Sequence, residues 1–489
     1  MTKRKKRRIL AISLIALGVA LLAAGGILFY NWWNTTYILV NGTSVERSCE
    51  TLELQGQQSP ELTAICQLKQ LKTLDISDTG ITEADYLQLK EALPDCNIIW
   101  SVPFQDGYIP NSATNITIDH LTQEDINTLV YFPALEAVDA LAVTEQDILL
   151  TLRQQYPELR VMYDVHIGKE DFDHAKQNLA LFDVDAESFT RALPHMQQLE
   201  KVAFTGQLPE TKQLIQWKKD YPNVTFFWDF EVFGKSVNSQ TTKLILNDIP
   251  ISSIEEVAQI MDCFYNMELV EMCHCGIPSE EMAKLRERFP NTKFVWTIKV
   301  GWAEVRTDIT TFMPFKLGFR DSNSAFTDAH ATELKYCTDI VCMDLGHQFV
   351  KDLSFLAYMP NMQYLLLCEL PAQDFSVLAG LTEIKYLELF LTQFSDTALL
   401  AGMTKLEDLN LCYTAVNDIT PLLEMKNHLR HLWINGTNAI DWRERKQLQN
   451  TLVNTVIRYG YVGSTEGGWR HTPNYYAQRD LLEMNYLVG

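Results

Sequence analysis

One apolar spacing recurs through the C-terminal third of the chain and constrains its fold more than any other feature. The stretch LEDLNL, from Leu406, has apolar residues at offsets of three and then two, which neither a helix nor an alternating strand produces. Related stretches are IVCMDL from Ile340, MQYLLL from Met362, IKYLEL from Ile384 and LRHLWI from Leu429. The five starts are 22, 22, 22 and 23 residues apart. This period predicts stacked units, because no single unit can bury its own leucines.

A second signature with a longer period occupies the middle of the chain. A proline is followed six residues later by an aromatic residue in PDCNIIW, PELRVMY, PNVTFFW and PNTKFVW, from Pro94, Pro157, Pro222 and Pro290. These prolines are 63, 65 and 68 residues apart, about three times the shorter period. Each of these long repeats contains two further strand candidates. One of them is FKLGFR, from Phe315. We therefore predict three strands per unit and one uninterrupted parallel ladder; several small α/β domains in series are the alternative.

Amphipathic stretches before these prolines predict helices on the convex side of the stacked repeats. The stretches TEADYLQLKEALP, from Thr82, and SEEMAKLRERFP, from Ser279, open with hydroxyl and acidic residues, as helix starts do. A proline closes each of them, and helices usually end before a proline.

The repeat motif points to a known class of proteins. The form L-x-x-L-x-L with a period of 22 is that of leucine-rich repeats, and Thr79, Thr392 and Thr414 stand where many such repeats have Asn. Residues 340–434 resemble the internalins, and the chain resembles the extracytoplasmic leucine-rich repeat proteins of Gram-positive bacteria. It departs from the internalins in its N-terminal anchor and irregular middle repeats. The resemblance implies an α/β solenoid with a parallel strand ladder and convex-side helices, and a broad role in protein–protein contact.

The N-terminus predicts a membrane anchor. Six of the first eight residues are Lys or Arg, and the following 21 residues, 9–29, carry no charge. A helix of that length spans roughly 31 Å, the thickness of one hydrocarbon core. Tyr30, Trp32 and Trp33 follow where an interfacial aromatic belt belongs, and the basic run places the N-terminus in the cytoplasm. We predict an uncleaved single-pass anchor with the repeats outside the cell; a cleaved signal peptide is the alternative.

These patterns divide the chain into six predicted regions. They are a cytoplasmic basic tail (1–8), a transmembrane signal anchor (9–30), a juxtamembrane linker (31–44), irregular repeats (45–339), regular 22-residue repeats (340–457) and a C-terminal cap (458–489). The formal net charge of −21 argues against a nucleic-acid partner, because an acidic surface repels phosphates.

The sequence offers little for catalysis or metal binding. It contains no G-x-S-x-G, H-E-x-x-H, P-loop or glycine-rich dinucleotide motif. Cys273, His274 and Cys275 suggest a zinc site, but strand alternation would direct the two thiols and the imidazole to opposite faces. The ten cysteines lack the spacing of a disulfide scaffold, so we expect most to be buried fillers. We predict no catalytic residues, no cofactor and no metal.

A binding surface can be placed from the repeat geometry. The strand residues between the inward-pointing leucines should face outward on the concave side and form columns along the ladder. This predicted protein-binding surface, called the concave face below, consists of Tyr364, Tyr386, Glu388, Phe390, Asp408, Asn410, His431 and Trp433. Aromatic residues beside charges are typical of interface anchors, although they could also pack only against each other. The sequence thus predicts non-catalytic recognition of a protein or peptide, with a structural scaffold of a cell-envelope membrane complex as the alternative.

Overall fold

The computed structural model describes residues 3–320, 324–437, 440–460 and 468–484. Parts of the predicted basic tail and C-terminal cap therefore lie outside the described residues. The chain forms two compact units, residues 1–226 and 227–489, and each is described by itself.

A long apolar helix opens the first unit. It runs from Lys3 to Thr36. Its part from Leu10 to Thr36 is largely exposed and contains an 18-residue window with a mean hydropathy of 2.5, so its length and composition would allow it to cross a membrane. The guanidinium of Arg47 donates to the Asn34 carbonyl (2.9 Å), and the Arg47 amide donates to the Thr36 carbonyl (2.9 Å). These bonds satisfy carbonyls that the end of a helix leaves without partners, and they tie the helix to the first hairpin.

Parallel strands form short blocks of three rather than one continuous ladder. The first block of the first unit consists of Thr51–Glu53, Thr73–Asp75 and Asn97–Ile99, and the second of Asn115–Thr117, Ala137–Asp139 and Arg160–Met162. The third block consists of Asn178–Phe182, Lys201–Thr205 and Thr225–Phe227. The division between the two units falls within the last of these strands. The second unit begins with Lys243–Ile245, Leu269–Glu271 and Lys293–Val295. Aligned apolar residues such as Leu52, Leu74 and Ile98 pair across each block and are buried.

Antiparallel hairpins, which the sequence analysis missed, interrupt the ladder. They pair Tyr37–Val40 with Thr43–Glu46, Ser101–Phe104 with Gly107–Pro110, Asp164–Ile167 with Glu170–Asp173, Asp229–Val232 with Lys235–Asn238, and Thr297–Val300 with Ala303–Arg306. Each has a two-residue turn with at least one left-handed residue, as at Phe233 (φ 48°) and Gly234 (φ 76°).

The hairpins explain why the prediction of an uninterrupted ladder is wrong. In the proline–aromatic signature, the backbone carbonyl of the aromatic residue accepts a hydrogen bond from the backbone amide eleven residues later. Examples are Trp100–Asn111 (2.8 Å), Trp228–Ser239 (2.9 Å) and Trp296–Thr307 (2.9 Å). In the first of these pairs the Asn111 side-chain oxygen also accepts from the Trp100 amide (3.1 Å). Backbone groups that would have continued the ladder are therefore used to close the hairpin.

The regular repeats form the longest sheet, called the last ladder below. Its seven parallel strands are Thr311–Phe312, Cys342–Asp344, Tyr364–Leu366, Tyr386–Glu388, Asp408–Asn410, His431–Trp433 and Val456–Arg458. The pairing aligns equivalent positions, so that the fully buried Leu365, Leu387, Leu409 and Leu432 form one row. The predicted fold class, a leucine-rich repeat solenoid with a parallel ladder, is confirmed. The strand predicted at FKLGFR is wrong: Pro314–Leu317 is a 3₁₀-helix that ends at Gly318 (φ 93°).

The 22-residue period is also visible in the turns after the strands. His347, Glu369, Leu391 and Tyr413 are 22 residues apart and all have left-handed backbones, with φ between 55° and 62°. The hydroxyls of Thr392 and Thr414 donate to the carbonyls three residues earlier (2.7 and 2.8 Å), and Thr79 does the same in the first unit (2.7 Å). These threonines thereby satisfy a buried turn carbonyl, the kind of group that buried backbone cannot leave unpaired.

Helices carry the chain from strand to strand, except for those that follow the final strand. The α-helices after the first are Leu62–Ile65, Glu83–Ala92, Gln123–Thr128, Asp147–Gln155, Ala186–Ala192 and Thr211–Asp220 in the first unit, and Ile254–Met261, Ser279–Arg288, Asp328–Ala331, Trp442–Thr451 and Pro473–Leu481 in the second. Both helices predicted from the proline-terminated stretches are confirmed. The 3₁₀-helices are Leu129–Tyr131, Leu193–His195, Pro314–Leu317, Thr332–Tyr336, Ser354–Tyr358, Ser376–Gly380, Thr397–Leu400, Thr420–Asn427 and Trp469–His471.

We expect Thr392→Val to lower the free energy of unfolding by about 1–3 kcal/mol, because it leaves the buried Leu389 carbonyl without its donor. The measurement is denaturant unfolding of the full chain in detergent, followed by circular dichroism. Thr382→Val, at an exposed position of the same repeat, is the control and should change little. Equal effects of the two substitutions would contradict the role given to the Thr392 hydroxyl.

Candidate recognition site

The strand register places the predicted concave-face residues in two columns. Tyr364, Tyr386, Asp408 and His431 pair in succession, and Glu388, Asn410 and Trp433 pair in the same way two residues further along. Phe390 lies just beyond the strand that carries Tyr386 and Glu388. The parallel pairing therefore brings together the residues that the sequence analysis selected.

Their expected exposure, however, is wrong in this structure. Seven of the eight side chains are 8% exposed or less, and only His431 is partly open. The outer faces of the earlier three-stranded blocks are more open; for example, Asn178, Ala180 and Phe182 of one strand are all exposed. The concave face of the last ladder differs because a distant part of the same chain covers it.

The cover is residues 468–484, called the C-terminal segment below. It contains the 3₁₀ turn Trp469–His471 and the helix Pro473–Leu481. The Thr472 hydroxyl accepts from the Tyr475 amide (3.2 Å), and Pro473 occupies the first turn, so the helix has a capped start. Predicted as part of a C-terminal cap, this segment packs on the concave face instead of only closing the last repeat.

A single indole forms the centre of the contact. Trp469 is fully buried, with its ring centroid 4.7 Å from that of Tyr386 and 4.6 Å from that of Trp433. Its Nε1 donates to Oε2 of Glu388 (2.9 Å). A hydrogen bond to a carboxylate is stronger than one between neutral groups, and here both partners are shielded from water. This indole and carboxylate fix the segment to the ladder.

The edges of the contact are polar and more open. Asn474 donates through Nδ2 to Oε2 of Glu407 (2.9 Å), and Nζ of Lys316 lies 3.2 Å from Oε2 of Glu483. The Lys316–Glu483 ion pair is largely solvated, and such pairs contribute little to stability. A desolvated aromatic centre with a polar rim is the anatomy of a protein–protein interface.

Several polar atoms of the concave face and the segment lack hydrogen-bond partners among the described residues. They are the Tyr386 hydroxyl, Oδ2 of Asp408, Nδ2 of Asn410 and both amide atoms of Gln478. The other oxygen of Asp408 contacts Nδ1 of His431 (2.6 Å), and Oδ1 of Asn410 accepts from the Cys412 amide (3.0 Å). Each unsatisfied buried group costs roughly 1–3 kcal/mol, so the segment covers this face imperfectly.

The cover also buries three thiols. Cys342, Cys368 and Cys412 join the cluster around Trp469, and the Cys342 thiol lies 3.9 Å from the Gln478 carbonyl. Burial raises the pKa of all three thiols, to about 11 for Cys412, so they stay protonated at neutral pH and react slowly. A cavity of about 360 Å³ lies beside Cys368, between the segment and the first strands of the ladder.

The second sequence candidate, around Cys273, does not form a strand site. The strand ends at Glu271, so residues 273–275 lie in the turn that follows, where His274 has φ 58°. Both thiols are buried, whereas the exposed His274 lies between Asp248 (3.0 Å) and Glu304 (3.2 Å). Within the described residues, no group of three or more His, Cys, Asp or Glu is arranged to hold a metal ion.

The residue that sequence analysis missed is Trp469. The tail was predicted to be a cap because it breaks the repeat, and an aromatic residue in such a tail gives no sign of which strands it contacts. A usable signal was present on the ladder itself: Glu388, a carboxylate between aromatic positions, needs a donor if it is buried.

Comparisons with known proteins return only likenesses of fold. No protein-family model and no curated protein matches the chain. Internalin C2 of Listeria monocytogenes is 19% identical over 45% of this chain and 80% of its own, with a TM-score of 0.25. A second internalin of that species is 14% identical over 86% and 91%, with a TM-score of 0.25, and a leucine-rich repeat protein of Leptospira interrogans is 13% identical over 84% and 93%, with a TM-score of 0.26. At these TM-scores the likenesses add no argument about function.

Tyr386→Phe should leave the free energy of unfolding unchanged or raise it by about 1 kcal/mol, because it removes a buried hydroxyl without a described partner. Tyr386→Ala should instead lower it by about 3–5 kcal/mol, as truncation of a buried aromatic does. Denaturant unfolding of both variants measures the difference. Similar destabilisation by the two substitutions would show that the hydroxyl makes an essential bond.

Trp469→Ala should release the segment and make Cys342, Cys368 and Cys412 accessible to a maleimide, with labelling faster by about tenfold or more. Mass spectrometry of proteolytic fragments identifies the labelled thiols. Cys275 and Cys337, buried in the separate leucine core, should stay protected and thereby report that the repeats remain folded. Unchanged labelling of the three face thiols would contradict the proposed cover.

Proposed function

We propose that this chain is a membrane-anchored, extracytoplasmic leucine-rich repeat protein that recognises a protein or peptide without catalysis. The recognition surface is the concave face of the last ladder. One observation carries the proposal: this face already holds a polypeptide segment by burying the Trp469 indole against Tyr386 and Trp433, with a hydrogen bond to Glu388.

The chemistry of the face supports binding of a polypeptide. Aromatic side chains give large contact areas for little loss of conformational entropy, and buried carboxylates and amides select partners that offer matching hydrogen bonds. The columns of Tyr, Glu, Asp, Asn and Trp provide both features on strands held rigidly by the stacked leucines. Under this proposal the chain needs no catalytic residue, cofactor or metal.

Anchoring in the membrane is part of the same proposal. The helix from Lys3 to Thr36 has the length and hydropathy of a span, and its basic start favours a cytoplasmic N-terminus. The two hydrogen bonds of Arg47 to the helix end would join the anchor closely to the first hairpin, with the repeats outside the cell.

A scaffold role in a cell-envelope membrane complex is the second candidate. The observation that favours it is the covered concave face, which offers little open surface to a partner while the segment is in place. In that case the exposed apolar helix would provide the main contacts, through lateral association with other membrane helices.

A photo-crosslinking amino acid placed at Leu391 tests the two candidates in cells that produce the full chain. Leu391 is exposed and directly follows Phe390 of the concave face, and Lys426, exposed on the 3₁₀-helix Thr420–Asn427, is the control position. Recognition predicts a discrete cross-linked partner from position 391 and none from position 426. Cross-links found only from a position in the apolar helix, such as Leu17, would reject recognition and favour the scaffold.

A further inference from the structure

The proposed function can be carried one step further, to the chemistry of the partner. Resting on that function, we propose that the C-terminal segment is a replaceable internal ligand. The external partner is a short peptide with the same arrangement, a turn followed by an amphipathic helix, that inserts an indole from the turn between Tyr386 and Trp433 and donates its N–H to Glu388. The segment and the partner therefore compete for one site.

The site selects an indole for a physical reason. Tyr386 and Trp433 bound an aromatic slot, and a carboxylate lies within hydrogen-bonding distance of the ring that fills it. A buried carboxylate without a donor is costly, so phenylalanine would fill the slot but leave Glu388 with one bond fewer. Of the aromatic side chains, tryptophan combines a large flat ring with an N–H donor at its edge.

The segment has the properties of a bound peptide. Its helix, Pro473–Leu481, has nine residues, and helices this short are not stable in isolation, so its order depends on the face beneath it. It faces the ladder with Trp469, Gln478 and Leu482, while Tyr476 and Leu481 are open to solvent. An external peptide with the same turn, helix and spacing of side chains would find the same contacts.

The polar atoms left without partners explain why the segment can be replaced. Tyr386, Asp408 and Asn410 belong to adjacent strands of the face, and each has a buried polar atom that lacks a hydrogen bond among the described residues. A hydroxyl or a side-chain amide of a partner would offer donors and acceptors to Asp408 and Asn410. A partner that places such a group there gains hydrogen bonds that the segment does not make. Their free energy offsets the advantage that the segment has because it is attached to the same chain.

Attachment to the same chain gives the segment a local concentration of about the millimolar range. Nine residues, 459–467, separate the last ladder strand, Val456–Arg458, from the start of the segment at Gly468. A free peptide with the same contacts must therefore bind weakly to the intact chain, because its apparent affinity is reduced by the fraction of molecules already covered. Weakening the internal contact should restore that affinity.

The experiment uses the full chain in lipid nanodiscs and a fluorescein-labelled synthetic peptide of residues 468–484, followed by fluorescence anisotropy. Trp469→Ala protein should bind this peptide at least tenfold more tightly than the unaltered protein. Trp442→Ala is the matched control, since Trp442 is 68% exposed on another helix, and it should bind like the unaltered protein. Circular dichroism and protection of Cys337 confirm that each variant is folded.

Peptide variants test the chemistry. The peptide with Trp469→Phe should bind Trp469→Ala protein about tenfold more weakly, because it lacks the bond to a charged acceptor. Glu388→Leu in the same protein should remove that difference between the two peptides. Trp469→Phe protein, which keeps the ring and loses only the donor, serves as a milder opening variant and should bind the unaltered peptide with intermediate affinity.

Three outcomes would overturn the inference: equal binding to unaltered and Trp469→Ala protein, no binding to any folded variant, or equal binding of the Trp and Phe peptides. None of them would reject recognition itself. A discrete cross-link from position 391 would still support the proposed function if the peptide failed, and loss of that cross-link would reject the function even if the peptide bound.

Discussion

The stacking of buried leucines in the last ladder is the constraint on which the rest of the structure depends. Because each strand must bury its leucines against the next, parallel pairing aligns equivalent positions, and Leu365, Leu387, Leu409 and Leu432 become one row. The residues between them are then forced onto the opposite face, in register. The apolar leucine core on one face of the strands thus fixes the positions of Tyr386, Glu388 and Trp433 on the other face.

The period of 22 made the ladder, its register and the columns of the concave face predictable, because all three follow from backbone pairing between equivalent residues. The helices were predictable where capping residues and a terminal proline framed them, as in Glu83–Ala92, where Thr82 and Asp85 form a capping box. The hairpins were missed because their signal, an eleven-residue link from Trp100 to Asn111 or from Trp296 to Thr307, becomes visible only when several units are aligned.

The cover over the concave face could not be predicted for a different reason. The contact between Trp469 and Glu388 joins residues 81 positions apart and belongs to no repeat. It follows from the energy of burying an indole and a carboxylate together. Where the tail docks depends on the whole surface that is available to it. The same contact turns a predicted open surface into an occupied one, and it links the proposed recognition surface to the segment that covers it.

Hydrogen–deuterium exchange of the intact chain in nanodiscs tests this central claim most directly. If the segment is docked on the concave face, the amides of Pro473–Leu481 that form helical hydrogen bonds should be protected far beyond the level of an isolated nine-residue helix. Exchange of these amides at the rate of an unstructured peptide, while the strands from Tyr364 to Trp433 remain protected, would contradict the account.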